Sequence, residues 1–201
     1  RRWKALHYFV RDAFKPDVVA FEEGQDSIKV FVCSGRKEPV NAQLRLELRD
    51  FSGDLLWYEN KDIRLDPENA QIVANLPSGT LKGLGEITEM YLRGQLLENG
   101  EVAHENLFYF VPPKALALPE NPEISISMTT TGIGHYELRL KAEKLAKNVF
   151  LEFEDSEGFF SDNYFDLQPG VEKVATFDEN KMGEKPLTAE DLKVLSLVDT
   201  Y

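Results

Sequence analysis

The densest cluster of acidic side chains lies in the segment EFEDSEG and the residues that follow it. Its members are Glu152, Glu154, Asp155, Glu157, Asp162, Asn163 and Asp166. Glycosidases act through paired carboxylates and calcium is bound by oxygen ligands, so both kinds of site are candidates. However, the spacing does not match an EF-hand loop, and exposed carboxylates lack the burial that raises the pKa of a catalytic acid. We interpret the cluster as a solvated strand edge and turn, leaving a calcium site between Glu152 and Asp166 as an open alternative.

The other residue types that support catalysis are scattered along the chain. His7, His104 and His135 have no partner at the spacing of a zinc or general-base motif, so we expect surface or interface histidines. The segments GTLKGLG and GIGH lack the features of a phosphate-binding loop and predict turns. The single cysteine, Cys33, excludes an internal disulfide, and we predict a buried thiol. The sequence therefore predicts no catalytic, metal-binding or cofactor-binding residue and no cofactor.

Two adjacent aromatic residues are the candidates for a binding surface. Trp57 and Tyr58 occur in LLWYEN, where a strand places them on opposite faces. An outward ring can stack on a sugar, or it can pack on a neighbouring domain. We favour the domain contact and keep the sugar platform as the alternative.

Composition and charge exclude several classes of partner. The 201 residues are 42% apolar, which is enough for one large or two small domains with ordinary cores. The formal net charge is -12, so nucleic acid and anionic membranes are repelled. No apolar run is long enough for a membrane-spanning helix. We therefore predict neither a nucleic acid nor a membrane as partner.

An amphipathic helix is predicted at the start of the chain. Apolar residues at helical spacing form one stripe, and Pro16 ends the pattern. The stripe consists of Trp3, Leu6, Phe9, Val10, Ala13 and Phe14. Such a large stripe must be covered, either by the downstream sheets or by a domain that precedes this segment.

After Pro16 the apolar pattern changes to a period of two, which is typical of β-strands. Ile28, Val30 and Val32 alternate with Lys29, Phe31 and Cys33, and the leucines at 44, 46 and 48 alternate with charged residues. Residues 40 to 61 are predicted to form a hairpin. The segment NLFYFV is apolar on both faces, so we expect a strand buried on both sides. Seven short strands within the first hundred or so residues indicate a β-sandwich.

A proline-rich segment divides the strand pattern. VPPKALALPENPE contains Pro112, Pro113, Pro119 and Pro122, which remove ladder donors and stiffen the chain. Beyond it, segments such as YELRLK and NVFLEFED again alternate. We predict a first sandwich over residues 17–113 and a second, smaller one over residues 114–201.

Both ends of the chain resemble one enzyme family. RWKALHYFVRDAFKP is similar to the last barrel helix of the β-mannosidase branch of glycoside hydrolase family 2, in which Trp3, Leu6, His7, Tyr8 and Phe9 match. FFSDNYFDLQPG and VLSLVDTY resemble the C-terminal immunoglobulin-like domain of that branch. The positions matched there are Phe160, Ser161, Asp162, Asn163 and Phe165. We expect Asp162 or Asn163 to bind turn backbone and Phe165 to fill the core.

The resemblance implies an all-β chain of two tandem immunoglobulin-like antiparallel β-sandwiches preceded by one amphipathic helix. Residues 1–16 would then be the terminal helix of a missing (β/α) barrel. The side chains that would pack on the barrel are Trp3, Leu6, Phe9, Val10 and Phe14. The family uses two barrel carboxylates in a retaining mechanism, and no position here matches them. The chain alone is therefore expected to be inactive.

The implied function is that of accessory domains supporting a barrel that hydrolyses terminal β-D-mannosyl residues. The implied partner is that barrel, with mannose-containing glycans as a further candidate. A carbohydrate-binding module and a protein-interaction tandem are the alternative classes. The compartment of the parent is open among secreted, periplasmic and lysosomal.

Overall fold

The computed structural model describes residues 3–180 and 186–200. Over this range the chain forms two compact units. One unit comprises residues 12–50 and 54–117, and the other comprises residues 3–11, 51–53 and the described part of 118–200. We call them the first domain and the C-terminal domain. Among the described residues, no helix has the length and apolarity needed to cross a membrane.

The first domain is a sandwich of two antiparallel sheets. Its strands are β1 (Asp17–Glu23), β2 (Ser27–Ser34), β3 (Val40–Asp50), β4 (Leu55–Leu65), β5 (Asn69–Pro77), β6 (Met90–Glu98) and β7 (Glu101–Tyr109). One sheet has the order β1-β2-β5, and the other has the order β4-β3-β6-β7. The predicted hairpin over residues 40 to 61 is confirmed, because β3 and β4 pair from Val40–Leu65 to Arg49–Leu55.

The inward faces of the first domain follow the alternation in the sequence. Ile28, Val30 and Val32 are buried on one sheet, and Leu44, Leu46 and Leu48 are buried on the other. These side chains belong to one apolar cluster, which fills the space between the sheets. Period-two patterning therefore predicted this core correctly.

The C-terminal domain is a second sandwich with shorter strands. They are β8 (Ile124–Gly132), β9 (His135–Ala142), β10 (Ala146–Phe153), β11 (Gly158–Phe160), β12 (Phe165–Leu167), β13 (Lys173–Glu179) and β14 (Leu192–Leu195). The sheets have the orders β11-β13-β9-β8 and β12-β10-β14. β8 and β9 form a hairpin whose turn holds Gly134 at φ 74°, so GIGH is a turn as predicted. Strand β11 was missed, because three residues are too few to show a period. The all-β, two-sandwich prediction is confirmed.

Three local expectations were wrong. Cys33 is exposed, because on β2 it faces away from Val30 and Val32. His104 is buried, with 2% of its surface exposed.

GTLKGLG contains a turn at Gly83 and Leu84, as predicted, but the residues before that turn, Ser78–Lys82, form the short helix α2, which the sequence did not predict. The third wrong expectation concerns a strand. NLFYFV is not buried on both faces, because β7 is an edge strand and its Leu107, Phe108 and Tyr109 are only half-buried.

Candidate functional site

The opening helix, α1, spans Ala5–Ala13 and has one buried side chain, Tyr8. The helix forms from good helix formers such as Ala5, Leu6 and Arg11, and it ends before Pro16, as the sequence predicted. At nine residues, it is too short to be stable as an isolated helix in water, so its helicity depends on what it contacts.

Tyr8 anchors α1 in the C-terminal domain. Only 5% of its surface is exposed, and its hydroxyl donates to the carbonyl oxygen of Phe160 at 3.3 Å. Because β11 lies at the edge of its sheet, a carbonyl on its outer side is free to accept this bond. Burial raises the pKa of the Tyr8 hydroxyl above its usual value, and the Arg11 charge opposes that shift.

Arg11 lies one helical turn after Tyr8 and binds the next residues of the same segment. Its guanidinium donates to the carbonyl oxygen of Ser161 and to the carboxylate of Asp162, the latter at 3.0 Å. The guanidinium also lies over the Tyr8 ring, 5.4 Å from its centroid, which is a cation–π geometry. Just before the helix, Trp3 packs edge-on against Phe159 with 4.5 Å between ring centroids.

The segment that receives α1 is held in place by side-chain hydrogen bonds. Asn163 is buried, and its side chain accepts from the amide of Leu151 and donates to the carbonyl of Leu151, both at 2.9 Å. Asn163 thereby pairs with β10 as a neighbouring strand would. The Ser161 hydroxyl accepts from the amide of Thr176 at 2.8 Å. Phe165 is buried in the core, as predicted.

A cavity of about 290 Å³ lies beside α1 within the C-terminal domain. Its walls include the aromatic rings of Trp3, Tyr8, Phe150 and Tyr164. Phe150 and Tyr164 pack together with 5.0 Å between centroids. The C-terminal domain therefore contacts this side of the helix through aromatic rings and two backbone carbonyls.

Apart from Trp3, which packs on Phe159, the predicted apolar stripe lies on other faces of the helix segment, where its side chains are exposed. Leu6 is 68% exposed, Phe9 53% and Phe14 84%, while Trp3 and Val10 are also exposed. The residue that anchors the helix, Tyr8, was not assigned to the stripe. A signal was available, because Tyr8 and Arg11 are three residues apart and so share a face that the stripe does not include.

His104 lies in the first domain and forms hydrogen bonds with Asp12, the residue after Arg11, and with Val19. Its Nδ1 accepts from the amide of Val19 at 3.1 Å, so Nε2 carries the proton and donates to the carboxylate of Asp12 at 3.3 Å. This bond, with a further contribution from Lys15, holds the pKa of Asp12 well below its usual range. The sequence showed no signal for this pair because 92 residues separate its members.

Trp57 and Tyr58 lie on opposite faces of β4, as the strand pattern requires. Trp57 is half-buried and packs against the core of the first domain. Tyr58 is 63% exposed and lies across from Glu47 on β3. The exposed residues that follow on its face are Asn60, Asp62 and Arg64.

Three carboxylates of the acidic cluster form ion pairs with basic side chains. Asp162 binds Lys173 at 2.7 Å, Asp166 binds Lys147 at 3.0 Å, and Glu154 binds Lys193 at 2.8 Å. Within residues 3–180 and 186–200, no group of three or more histidine, cysteine or acidic residues is arranged to hold a metal ion. These carboxylates serve as partners of lysine and arginine.

Comparison with known proteins gives one match in each domain. Residues 26–115 match the mannosidase Ig/CBM-like domain, and residues 119–200 match the Ig-fold domain of mannosidases.

The chain spans about a fifth to a quarter of the length of the two β-mannosidases it matches. Beta-mannosidase A of Neosartorya fischeri is 27% identical over 198 residues, which cover 88% of this chain and 20% of that protein. A crystal structure of β-D-mannosidase from Dictyoglomus thermophilum matches with a TM-score of 0.75 at 21% identity, covering 95% of this chain and 23% of that one.

A second solved structure shares the fold at a greater distance. The exo-chitosanase CsxA of Amycolatopsis orientalis matches with a TM-score of 0.64 at 14% identity, covering 94% of this chain and 26% of that one. The two domain matches, which together cover most of the chain, identify it as a pair of mannosidase-type immunoglobulin-like domains, and the β-mannosidase relative carries a similar region.

Proposed function

We propose that this chain supports the catalytic barrel of an enzyme that hydrolyses terminal β-D-mannosyl residues, and that it does no chemistry itself. In this proposal residues 1–16 are the last barrel helix, and residues 17–113 and 114–201 are the two accessory domains. The match to 20% of a β-mannosidase supports a barrel elsewhere in the same polypeptide.

One observation carries the proposal: α1 is seated on the C-terminal domain by Tyr8 and leaves its large apolar side chains uncovered. Leu6, Phe9 and Phe14 are each more than half exposed. Burying a side chain of this kind is worth about 1.5–3 kcal/mol, so leaving several on one helix is costly unless another surface covers them. A barrel wall of aliphatic strands and helices is the partner that fits this stripe.

The test compares this chain with a longer version that includes the barrel. Phe9→Asp is expected to leave the free energy of unfolding of this chain nearly unchanged, because Phe9 is exposed here. In the longer enzyme the same change buries a charge, so we expect at least a tenfold loss of active enzyme, measured by hydrolysis of an aryl β-mannoside.

Ile133→Asp is the matched control, since Ile133 is 81% exposed in a turn of the C-terminal domain. It is expected to be silent in both versions. Full activity of Phe9→Asp in the longer enzyme, or turnover by this chain alone, contradicts the proposal.

A second candidate function, binding of mannose-containing glycans, is favoured by the outward ring of Tyr58. It is an exposed aromatic residue followed on the same face by Asn60, Asp62 and Arg64, which provide hydrogen-bond donors and acceptors for hydroxyl groups. Calorimetric titration with mannan oligosaccharides tests it. Saturable heat at millimolar ligand that Tyr58→Ala abolishes and Ile72→Ala, a change at another exposed apolar residue, preserves would support binding. An absence of heat in the unmodified chain would exclude it at that concentration.

A further inference from the structure

The contact between α1 and the C-terminal domain is made by a small set of specific bonds. Tyr8 donates to the Phe160 carbonyl, and Arg11 donates to the Ser161 carbonyl and the Asp162 carboxylate. These acceptors are consecutive in sequence, and the two donors are one helical turn apart. The geometry thus fixes both the rotation of the helix and its position along its axis.

The helix depends on this contact for its own formation. A helix of nine residues is marginal in water, and its large apolar side chains Leu6, Phe9 and Val10 are exposed. The acceptor side, in contrast, is tied to β10 and β13 by hydrogen bonds of Asn163 and Ser161 that do not involve the helix. The C-terminal domain therefore offers a preformed binding segment, residues 160–163, to a helix that is not stable alone. We call this segment the seat.

We infer that Tyr8 and Arg11 form a latch through which the C-terminal domain shapes and orients the last barrel helix, so that barrel and domain unfold together. This inference rests on the proposed function for the identity of the barrel. It assigns to Arg11 and Tyr8 the role of positioning residues, acting through the helix. The acceptors of the seat are accordingly matched to a helix that carries tyrosine and arginine three residues apart.

The first experiment uses this chain alone. Arg11→Met removes the guanidinium and retains a long side chain with good helix propensity. Amide hydrogen exchange of residues 9–13 is expected to accelerate about tenfold, because bonds to charged groups are lost at a partly exposed site. Tyr8→Phe, which deletes only the hydroxyl, is expected to give a smaller acceleration in the same amides.

Arg139→Met is the matched control. Arg139 is about as exposed as Arg11 and is likewise held by carboxylates, those of Glu137 and Glu172. Its loss is expected to leave exchange in α1 unchanged. Equal exchange of α1 in unmodified, Arg11→Met and Tyr8→Phe chains would overturn the inference, whatever the parent enzyme does.

The second experiment uses the longer enzyme. In the unmodified protein, heat inactivation and the opening of residues 160–165 to hydrogen exchange are expected to coincide. In Arg11→Met they are expected to separate, with the barrel retaining activity at temperatures where the seat and helix have already come apart. A purely stabilising role would shift both transitions together and so contradict a latch. A longer enzyme without β-mannosidase activity would refute the proposed function and leave the first experiment to decide the latch.

Discussion

The two sandwiches solve the same packing problem with different side chains. The buried cluster of the first domain is almost entirely aliphatic, built on residues such as Val30, Leu46 and Leu92. The cluster of the C-terminal domain contains five aromatic rings, from Tyr136, Phe153, Phe160, Phe165 and Phe177. Phe153, Phe160 and Phe177 contact one another with centroids 4.6–5.9 Å apart.

This difference in core composition accompanies a difference in strand length. In the first domain, strands of seven to eleven residues pair along long ladders, so regular alternation closes the core. In the C-terminal domain, β11 and β12 have three residues each, and side chains such as Asn163 complete the pairing. Large rings and side-chain bonds thus replace regular backbone pairing at the place where α1 is seated.

Each domain can be followed separately because the chain has two tryptophans, Trp3 in the C-terminal domain and Trp57 in the first domain. Trp57→Phe leaves Trp3 as the reporter of the C-terminal domain. Trp3→Phe leaves Trp57 as the reporter of the first domain.

The largest effect is expected from Phe177→Ala in the C-terminal domain. Phe177 is almost fully buried and contacts three other rings, so its loss leaves a cavity that the remaining rings fill poorly. We expect the free energy of unfolding to fall by about 3–5 kcal/mol. Urea unfolding followed by Trp3 measures it, with Val174→Ala on the exposed face of β13 as control. A loss below about 1 kcal/mol would contradict the aromatic cluster as the basis of this core.

Leu46→Ala is the corresponding change in the first domain. Leu46 is buried in the middle of β3 among aliphatic neighbours, and we expect a loss of about 3 kcal/mol. Urea unfolding followed by Trp57 is the measurement, and Arg64→Ala on β4 is the exposed control. A loss larger than that of Phe177→Ala would reverse the ranking of the two cores.

Asn163→Ala tests the side-chain bonds that replace a ladder. The change leaves the amide and carbonyl of Leu151 without their partner in a buried position, which costs about 2 kcal/mol. Asn163→Asp keeps an acceptor for the amide but loses the donor, and thermal unfolding monitored through Trp3 is the readout. If both variants were as stable as the unmodified chain, the hydrogen bonds of Asn163 to Leu151 would not contribute to stability.

The smallest effect is expected at Asp12 and depends on pH. The hydrogen bond from His104 is the largest cause that lowers its pKa from the usual 3.8. A lowered pKa stabilises the folded state above pH 3.8, and this stabilisation is lost as the pH falls below that value. Because Asp12 is half exposed, we expect less than about 1 kcal/mol.

The measurement is the difference in unfolding free energy between the unmodified chain and Asp12→Asn, followed by Trp57 from pH 6 to pH 2. The difference is expected to be constant above pH 5 and to shrink below pH 4. A difference that grows on acidification would show that the Asp12–His104 bond has been assigned the wrong sign.

Much of the fold was predictable because its signals are local. Leu44, Leu46 and Leu48 alternate with polar residues, and the prolines from Pro112 to Pro122 separate two runs of strands. Burial of Phe165 also followed from its position in a matched motif. The exposed thiol of Cys33 was not predictable in this way, since Phe31 and Cys33 leave the outward face of β2 as apolar as a buried one.

The sequence by itself determined most of the strands, their inward faces, the opening helix and the likeness to one enzyme branch, because each depends on residues close together along the chain. Only the tertiary structure decided where the Tyr8–Arg11 face of that helix is held. Tyr8 and Arg11 find their acceptors about 150 residues away, at the edge strand that begins at Gly158. Likewise, His104 is buried because folding brings Val19 and Asp12 to its ring. The pairings of Tyr8 and His104 satisfy buried polar groups across long sequence distances, and no local pattern encodes those partners.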